Sequence, residues 1–194
     1  MQVSMFEKKG KLFIISGPSG AGKSTLIDDV LTELDGFVRS TSVTTRPKRK
    51  DEKEGKKYIF LSEEEFKKLK SSKNLLECAS YCGFNYGTPR EFVEKELSKG
   101  NNVILEIDVQ GAVQVKEQKK DVYMIFISTT STQILKKRLK KRNTESVQEI
   151  DSRMKTSEQE LKYQKYYDCI LINNDYNEAL LGLKHVLKTQ INLK

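Results

Sequence analysis

Residues Gly17-Pro18-Ser19-Gly20-Ala21-Gly22-Lys23-Ser24 satisfy the spacing G-x-x-x-x-G-K-[ST] at every fixed position. No other stretch restricts the fold as tightly, because such a loop works only between a buried strand and a helix. Both flanks fit. Leu12-Phe13-Ile14-Ile15 reads as the strand, and Thr25 to Leu31 has helical spacing with Leu26, Ile27, Val30 and Leu31 on one face. Strand, glycine-rich turn and helix together aim backbone N–H groups and the positive end of a helix at polyphosphate. Gly17 to Thr25 is therefore the expected triphosphate cradle. Lys23 is expected to reach the β- and γ-phosphates, and the Ser24 hydroxyl to ligate Mg²⁺.

Further along, three more apolar runs have the look of strands buried on both faces: Val103 to Ile107, Val122 to Ile127 and Cys169 to Ile172. Runs of this kind separated by helical stretches predict a parallel sheet covered on both sides. The helices expected are one near Asp28, one after Gln110, one around Ile134 to Lys141, one from Val147 to Tyr163, and a last one striped by Leu180, Leu183, Leu187 and Ile191. Between the first helix and Val103 the rhythm shortens. Val38 to Val43, Lys57 to Leu61, Leu75 to Tyr81 and Phe84 to Gly87 read as short strands. A helix from Glu63 to Leu69 interrupts them, with Ser62 and Glu65 spaced as a capping box. Another helix begins near Pro89. Lys48 to Lys57 is the most loop-like stretch.

The chain has 194 residues, enough for one sizeable core with small inserts. No apolar run approaches the roughly 18 residues of a membrane span, and Met1 to Lys11 lacks the apolar stretch of a signal peptide. A cytoplasmic location is the expectation. Cys78, Cys82 and Cys169 form no paired framework and read as reduced thiols rather than a zinc site. The net charge of +8 suits an enzyme that holds several phosphates, and no nucleic-acid recognition motif accompanies it.

Past the loop come, in order, Ser42-Val43-Thr44-Thr45-Arg46-Pro47-Lys48-Arg49; Glu52 with Gly55-Lys56-Lys57-Tyr58; Leu76-Glu77; Asn85-Tyr86-Gly87-Thr88; Leu105 to Gly111; and Arg138, Arg142 and Arg153. Taken together, these segments resemble guanylate kinases. The resemblance runs from about Lys11 to Leu187. It implies an α/β fold: a three-layer P-loop NTPase core with a parallel sheet, a small mixed α/β insertion that binds GMP, and a short helical lid. The core would comprise residues 1–39, 89–137 and 154–194, the insertion 40–88 and the lid 138–153. The implied reaction moves the γ-phosphoryl group of ATP to GMP with Mg²⁺, serving guanine nucleotide synthesis and GMP recycling.

Residue roles follow from the same resemblance. Arg46 and Arg49 would hold the GMP phosphate, with Tyr58 and Tyr86 donating hydrogen bonds to it; guanidinium forks bind phosphate bidentately. Glu77 would accept from guanine N1–H and the 2-amino group, where adenine presents a lone pair instead. Ser42, Thr88 and Asp108 stand at further guanine positions. Lys23, Arg138, Arg142 and Arg153 would neutralise charge on the transferring phosphoryl. Glu106, at a strand end, would hold Mg²⁺ through water or orient an arginine or backbone donors. Asn143 replaces a glycine that many relatives carry after the second lid arginine. Asn173-Asn174-Asp175 lies where relatives place adenine.

Three rival readings stay open at this level. A non-catalytic module that binds phosphorylated protein segments would not need the intact loop and lid arginines. A sister kinase for another acceptor would not need Glu77 or Thr88. Nucleic-acid binding would show steep salt dependence. Oligomeric state is not legible.

Overall fold

The computed structural model describes residues 9–49, 52–141 and 147–192. At its centre lies β1 (Leu12–Ser16), whose five residues are all buried. It pairs in parallel with β7 (Asn102–Glu106) on one side and β8 (Tyr123–Ser128) on the other. β2 (Phe37–Arg39) and β9 (Cys169–Ile172) close the edges, giving the order β2-β7-β1-β8-β9 with every pairing parallel. An unbroken apolar run is what a strand needs when both its faces are covered by helices.

Two separate cores fill the two faces. On one, Leu26, Ile27 and Val30 of α1 (Lys23–Glu33) meet Leu183 and Leu187 of α7 (Tyr176–Asn192) and Leu135 and Leu139 of α5 (Thr132–Lys141). The stripe expected of the last helix is present: Leu183 and Leu187 are fully buried, with Leu180 and Ile191 packed beside them. On the other face, Val93 and Leu97 of α3 (Arg90–Ser98) and Ala112 and Val115 of α4 (Val109–Gln118) cover Ile14, Val103 and Leu105.

A second sheet rises from one end, in the order β4-β3-β6-β5. Its strands are β3 (Ser42–Thr44), β4 (Tyr58–Phe60), β5 (Leu75–Tyr81) and β6 (Phe84–Pro89). α2 (Glu63–Ser71) lies against it through Phe66, which packs with Val43 and Leu75. The capping box at Ser62 and Glu65 forms as the spacing predicts. β5 is an edge strand, and α4 occupies its open side. Gln114 accepts from Cys78 N and donates to Cys78 O, and Gln118 donates to Leu76 O, while Leu76 inserts into the second core. The residue between these anchors is Glu77. Its position relative to α4 is thereby set by backbone contacts on either side.

Three expectations need correction. Val38 to Val43 is not one strand. Phe37–Arg39 belongs to the main sheet, where Arg39 pairs with Ile104, and Ser42–Thr44 to the small one. The break falls at Ser40 and Thr41, where the chain changes sheets; Ser40 N still donates to Ile104 O. Nor is β9 buried on both faces. As an edge strand it leaves Ile170 and Ile172 47% and 44% exposed. The long helix also ends early, at Leu161, and a 3₁₀ turn at Gln164–Tyr166 leads into β9. α6 is Val147–Leu161.

Candidate active site

The parallel register brings the C-terminal ends of the core strands to one edge, the place where open α/β sheets bind ligands. β1 runs into the glycine-rich loop there. Ile15 pairs with Glu106, so the last residue of β7 lands beside the loop's entry. The Ser24 hydroxyl donates to Glu106 Oε1 at 2.5 Å. Gly22 takes a left-handed conformation (φ 87°) at the start of α1, a geometry that glycine adopts without strain. The Lys23 ammonium donates to the carbonyls of Gly17 and Pro18, at 3.1 Å for the latter. Asn173, 3% exposed, braces the loop from behind by donating to Ala21 O at 2.7 Å.

Across from the loop stands the small sheet, and between them lies a cleft of about 1040 Å³. That volume is at the upper end of what a single small ligand fills, which leaves room for two nucleotides. Gly17, Ser19, Gly20, Gly22, Lys23 and Ser24 line one side. Ser42, Arg46, Arg49, Tyr58, Glu77 and Tyr86 line the other, with Glu106, Asp108 and Arg153 between. Most of the residues singled out from the sequence thus meet in one place.

Glu77 is 5% exposed and accepts from the Thr88 hydroxyl at 2.6 Å, its cross-strand partner in the β5–β6 pairing. Burial raises its pKa to about 7; the Thr88 hydrogen bond opposes the rise and the nearby Asp108 charge adds to it. Gly111 makes room for it: a Cβ at that position would stand 2.4 Å from Glu77 Oε2. Asp108 caps α4 by accepting from Gly111 N at 2.8 Å, and burial raises its pKa as well. Two acidic groups therefore face an enclosed end of the cleft, each above the ordinary carboxylate range.

Arg46 is 9% exposed and holds the opposite charge in the same cleft. It donates to Glu52 Oε1 at 2.7 Å and to Pro47 O at 2.7 Å, and its guanidinium lies over the rings of Tyr58 and Phe60 at 5.5 and 5.6 Å. Glu52 also accepts from Arg49 N at 2.9 Å, so one carboxylate ties the two arginines' segment together. Tyr58 and Tyr86 meet edge to face, with centroids 6.1 Å apart. Burial raises the Tyr58 pKa, which keeps its phenol protonated and able to donate.

Arg153, on α6, donates to the Ser19 hydroxyl. Arg138 stands behind the loop and donates to Asn174 O at 3.4 Å; it does not line the cleft. Pro18, Ala21, Thr25 and Thr88 do not line it either. Ala21 and Thr88 are fully buried beneath it, and the Pro18 carbonyl accepts from both Ala21 N and Lys23. Asn174 and Thr130 bond to each other, and Asp175 caps α7 by accepting from Glu178 N. Arg142 and Asn143 lie outside the described residues.

Some residues of the site carried no motif. Glu160 lines the cleft, is 5% exposed and has its pKa raised to about 7 by burial, with Lys23, the Ser19 backbone N–H and Arg153 opposing the rise. The available signal was its spacing, seven residues after Arg153 and so on the same helix face. Tyr81 also lines the cleft, burial raises its pKa, and it was equally unmarked. Among the described residues no three His, Cys, Asp or Glu side chains group as a metal cluster, and all three cysteines are free thiols. No helix among them is long and apolar enough to cross a membrane.

A glycine-rich loop between β1 and α1, at the edge of a parallel sheet with helices on both sides, defines a P-loop nucleotide-binding protein. The guanylate kinase family profile matches residues 9–190. A guanylate kinase from Caldanaerobacter subterraneus subsp. tengcongensis is 44% identical over 93% of this chain and 88% of its own length. One from Malacoplasma penetrans is 44% identical over 95% of each. The crystal structure of guanylate kinase from Anaplasma phagocytophilum superposes with a TM-score of 0.80 at 33% identity, covering 95% of this chain and 87% of that one. The chain belongs to the guanylate kinase family.

Proposed function

We propose that the two sides of the cleft hold ATP and GMP, and that the chain transfers the γ-phosphoryl group in line from one to the other. An oxygen of the GMP phosphate forms the new bond to phosphorus while the bond to the ADP oxygen breaks, giving ADP and GDP. The acceptor is already an anion, so no side-chain nucleophile is needed. Catalysis rests on positioning and on charge neutralisation. The observation that carries the reading is Glu77, a buried carboxylate facing the same cleft as an intact phosphate loop.

On the acceptor side, Glu77 takes N1–H and the 2-amino group of guanine, with Thr88 holding its other lone pairs and Ser42 and Asp108 completing the base pocket. Arg46 and Arg49 hold the phosphate, with Tyr58 and Tyr86 as donors. Arg46 exchanges part of its pairing with Glu52 for the ligand's charge. On the donor side, the loop N–H groups from Gly17 to Thr25 cradle the triphosphate. Lys23 leaves the loop carbonyls for the phosphates; Arg153 and Arg142 neutralise charge on the transferring group, and Arg138 joins them only when closure of the lid moves it from its place behind the loop. Residues 40–88 act as the GMP-binding insertion and 138–153 as the lid, on a core of 1–39, 89–137 and 154–194. Their closure excludes water.

Mg²⁺ fits the donor set. Ser24 and Glu106 place two hard oxygens together at the loop's base, and the lack of a three-carboxylate cluster among the described residues matches an ion held largely by nucleotide phosphates and water. When bound it neutralises phosphate charge. Ser24 would ligate it and Glu106 would hold it through water. The chemistry suits a cytoplasmic enzyme of purine nucleotide metabolism.

An acceptor panel tests the function. With ATP and Mg²⁺, GMP is consumed while AMP and dTMP turn over little. Equal rates on AMP would remove the role given to Glu77.

A further inference from the structure

Arg39 ends β2 at the edge of the main sheet, belongs to no segment of the family resemblance, and has a side chain only 8% exposed. A buried guanidinium requires partners, because an unpaired charge in that setting is costly. Its partners are all at the floor of the phosphate site. Nη1 donates to Asp28 Oδ1 at 2.6 Å, Nη2 donates to the Ser24 carbonyl at 3.1 Å, and Nη2 stands 3.5 Å from Glu106 Oε2. Glu106 meanwhile accepts from the Ser24 hydroxyl on its other oxygen. Asp28 takes a second cation, Lys57 of the small sheet's approach to β4, at 2.6 Å. Two cations and two carboxylates thus share one locus, 82 residues apart in the chain at the Ser24–Glu106 contact.

From this geometry we infer that Arg39, anchored by Asp28, is a positioning residue for phosphoryl transfer: it fixes Glu106 and the first turn of α1 relative to each other. The guanidinium fork touches both members of the Ser24–Glu106 pair, one through the backbone and one through the carboxylate. A lysine supplies the charge without the fixed fork. Arg39 touches neither the expected nucleotides nor any reacting atom, so it acts through Glu106 and Ser24. The inference rests on the phosphoryl-transfer reading above.

The test uses the full chain with Arg39→Met, Arg39→Lys and Asp28→Asn. Three quantities are read: kcat and KM for GMP, the free Mg²⁺ giving half-maximal rate, and the calorimetric affinity for ADP with and without Mg²⁺. Arg39→Met is expected to lower kcat about tenfold and raise the half-saturating Mg²⁺ several-fold, with KM for GMP within about twofold of the parent. The gain in ADP affinity on adding Mg²⁺ should shrink in parallel. Arg39→Lys should recover part of each loss, and Asp28→Asn should show the same pattern more weakly. If Arg39→Met does not fold, the other two variants decide, since Asp28 is 41% exposed and its amide is accommodated. Variants that lose thermal stability while kcat and both Mg²⁺ readouts stay within twofold of the parent would overturn the inference. A parent protein inactive on GMP would instead overturn the functional reading, and the ADP calorimetry would still judge Arg39.

Discussion

In the proposed reading, Glu77 is the side chain that sets specificity. Enclosed between Thr88, Gly111 and Asp108, it has its pKa raised to about 7 by burial, so the empty site is largely protonated at pH 6 and largely ionised at pH 8. Guanine's two adjacent donors require the ionised form. KM for GMP should therefore fall as pH rises from 6 to 8 and level off above, measured at saturating MgATP. Glu77→Gln puts an amide donor against those donors. It should cost GMP turnover about 100-fold in kcat/KM, about 3 kcal/mol, and flatten this part of the pH dependence. Gly111→Ala should weaken GMP binding without changing the nucleotide donor's KM, because its Cβ would press first on the Glu77 carboxylate. Glu77, Thr88 and Asp108 were legible in the sequence only as a set, through the resemblance to the guanylate kinase family. That Thr88 would reach Glu77 from full burial, and that Arg138 would stand behind the loop, were not. Both depend on which way a side chain turns from its strand or helix, and that is decided by neighbours far away in the chain.

Elements differ in how much of them is written locally. The Ser62–Glu65 capping box is entirely local, and the structure contains both of its reciprocal bonds. Ser62→Ala should lower stability by about 1 kcal/mol in urea unfolding, with GMP kinetics unchanged, since α2 is remote from the cleft lining. The stripe of α7 was equally plain, and Leu183→Ala should cost about 3 kcal/mol in the same assay because Leu183 is fully buried in the larger core. The two misread strands failed for opposite reasons. Val38 to Val43 is continuously extended in character, and only the competition between two sheets divides it at Ser40 and Thr41. Cys169 to Ile172 is as apolar as a central strand, yet its place at the sheet edge leaves alternate side chains exposed. Composition reports a strand's apolarity but not its rank in the sheet.

At the scale of the molecule, the site is an assembly of carboxyls and cations that the fold forces into one cleft, and its stability should carry that signature. Glu77 and Glu160 each have a folded pKa raised from 4.5 to about 7 by burial. Each binds its proton more tightly in the folded state, so their contribution is full below about pH 4.5 and is lost as pH rises through about 7, at up to about 3 kcal/mol each. Asp28 and Glu52 work the other way: burial pushes upward, but Lys57 and Arg39, and Arg46 in turn, hold them below the usual range, so their contribution is lost as pH falls below about 4. Stability in urea should accordingly peak near pH 5 and decline toward pH 8, and the decline should shrink in the Glu77→Gln, Glu160→Gln double variant. The chain's own order of residues determined the phosphate loop and the alternation of strands and helices, because each is a matter of short-range spacing, whereas the groups proposed to meet substrate were read from the family resemblance. Only the tertiary structure decided that Glu160, Tyr81 and Arg39 belong with them. Their burial and pairing arise from contacts between segments brought together by the parallel register, and no local pattern records a contact of that kind.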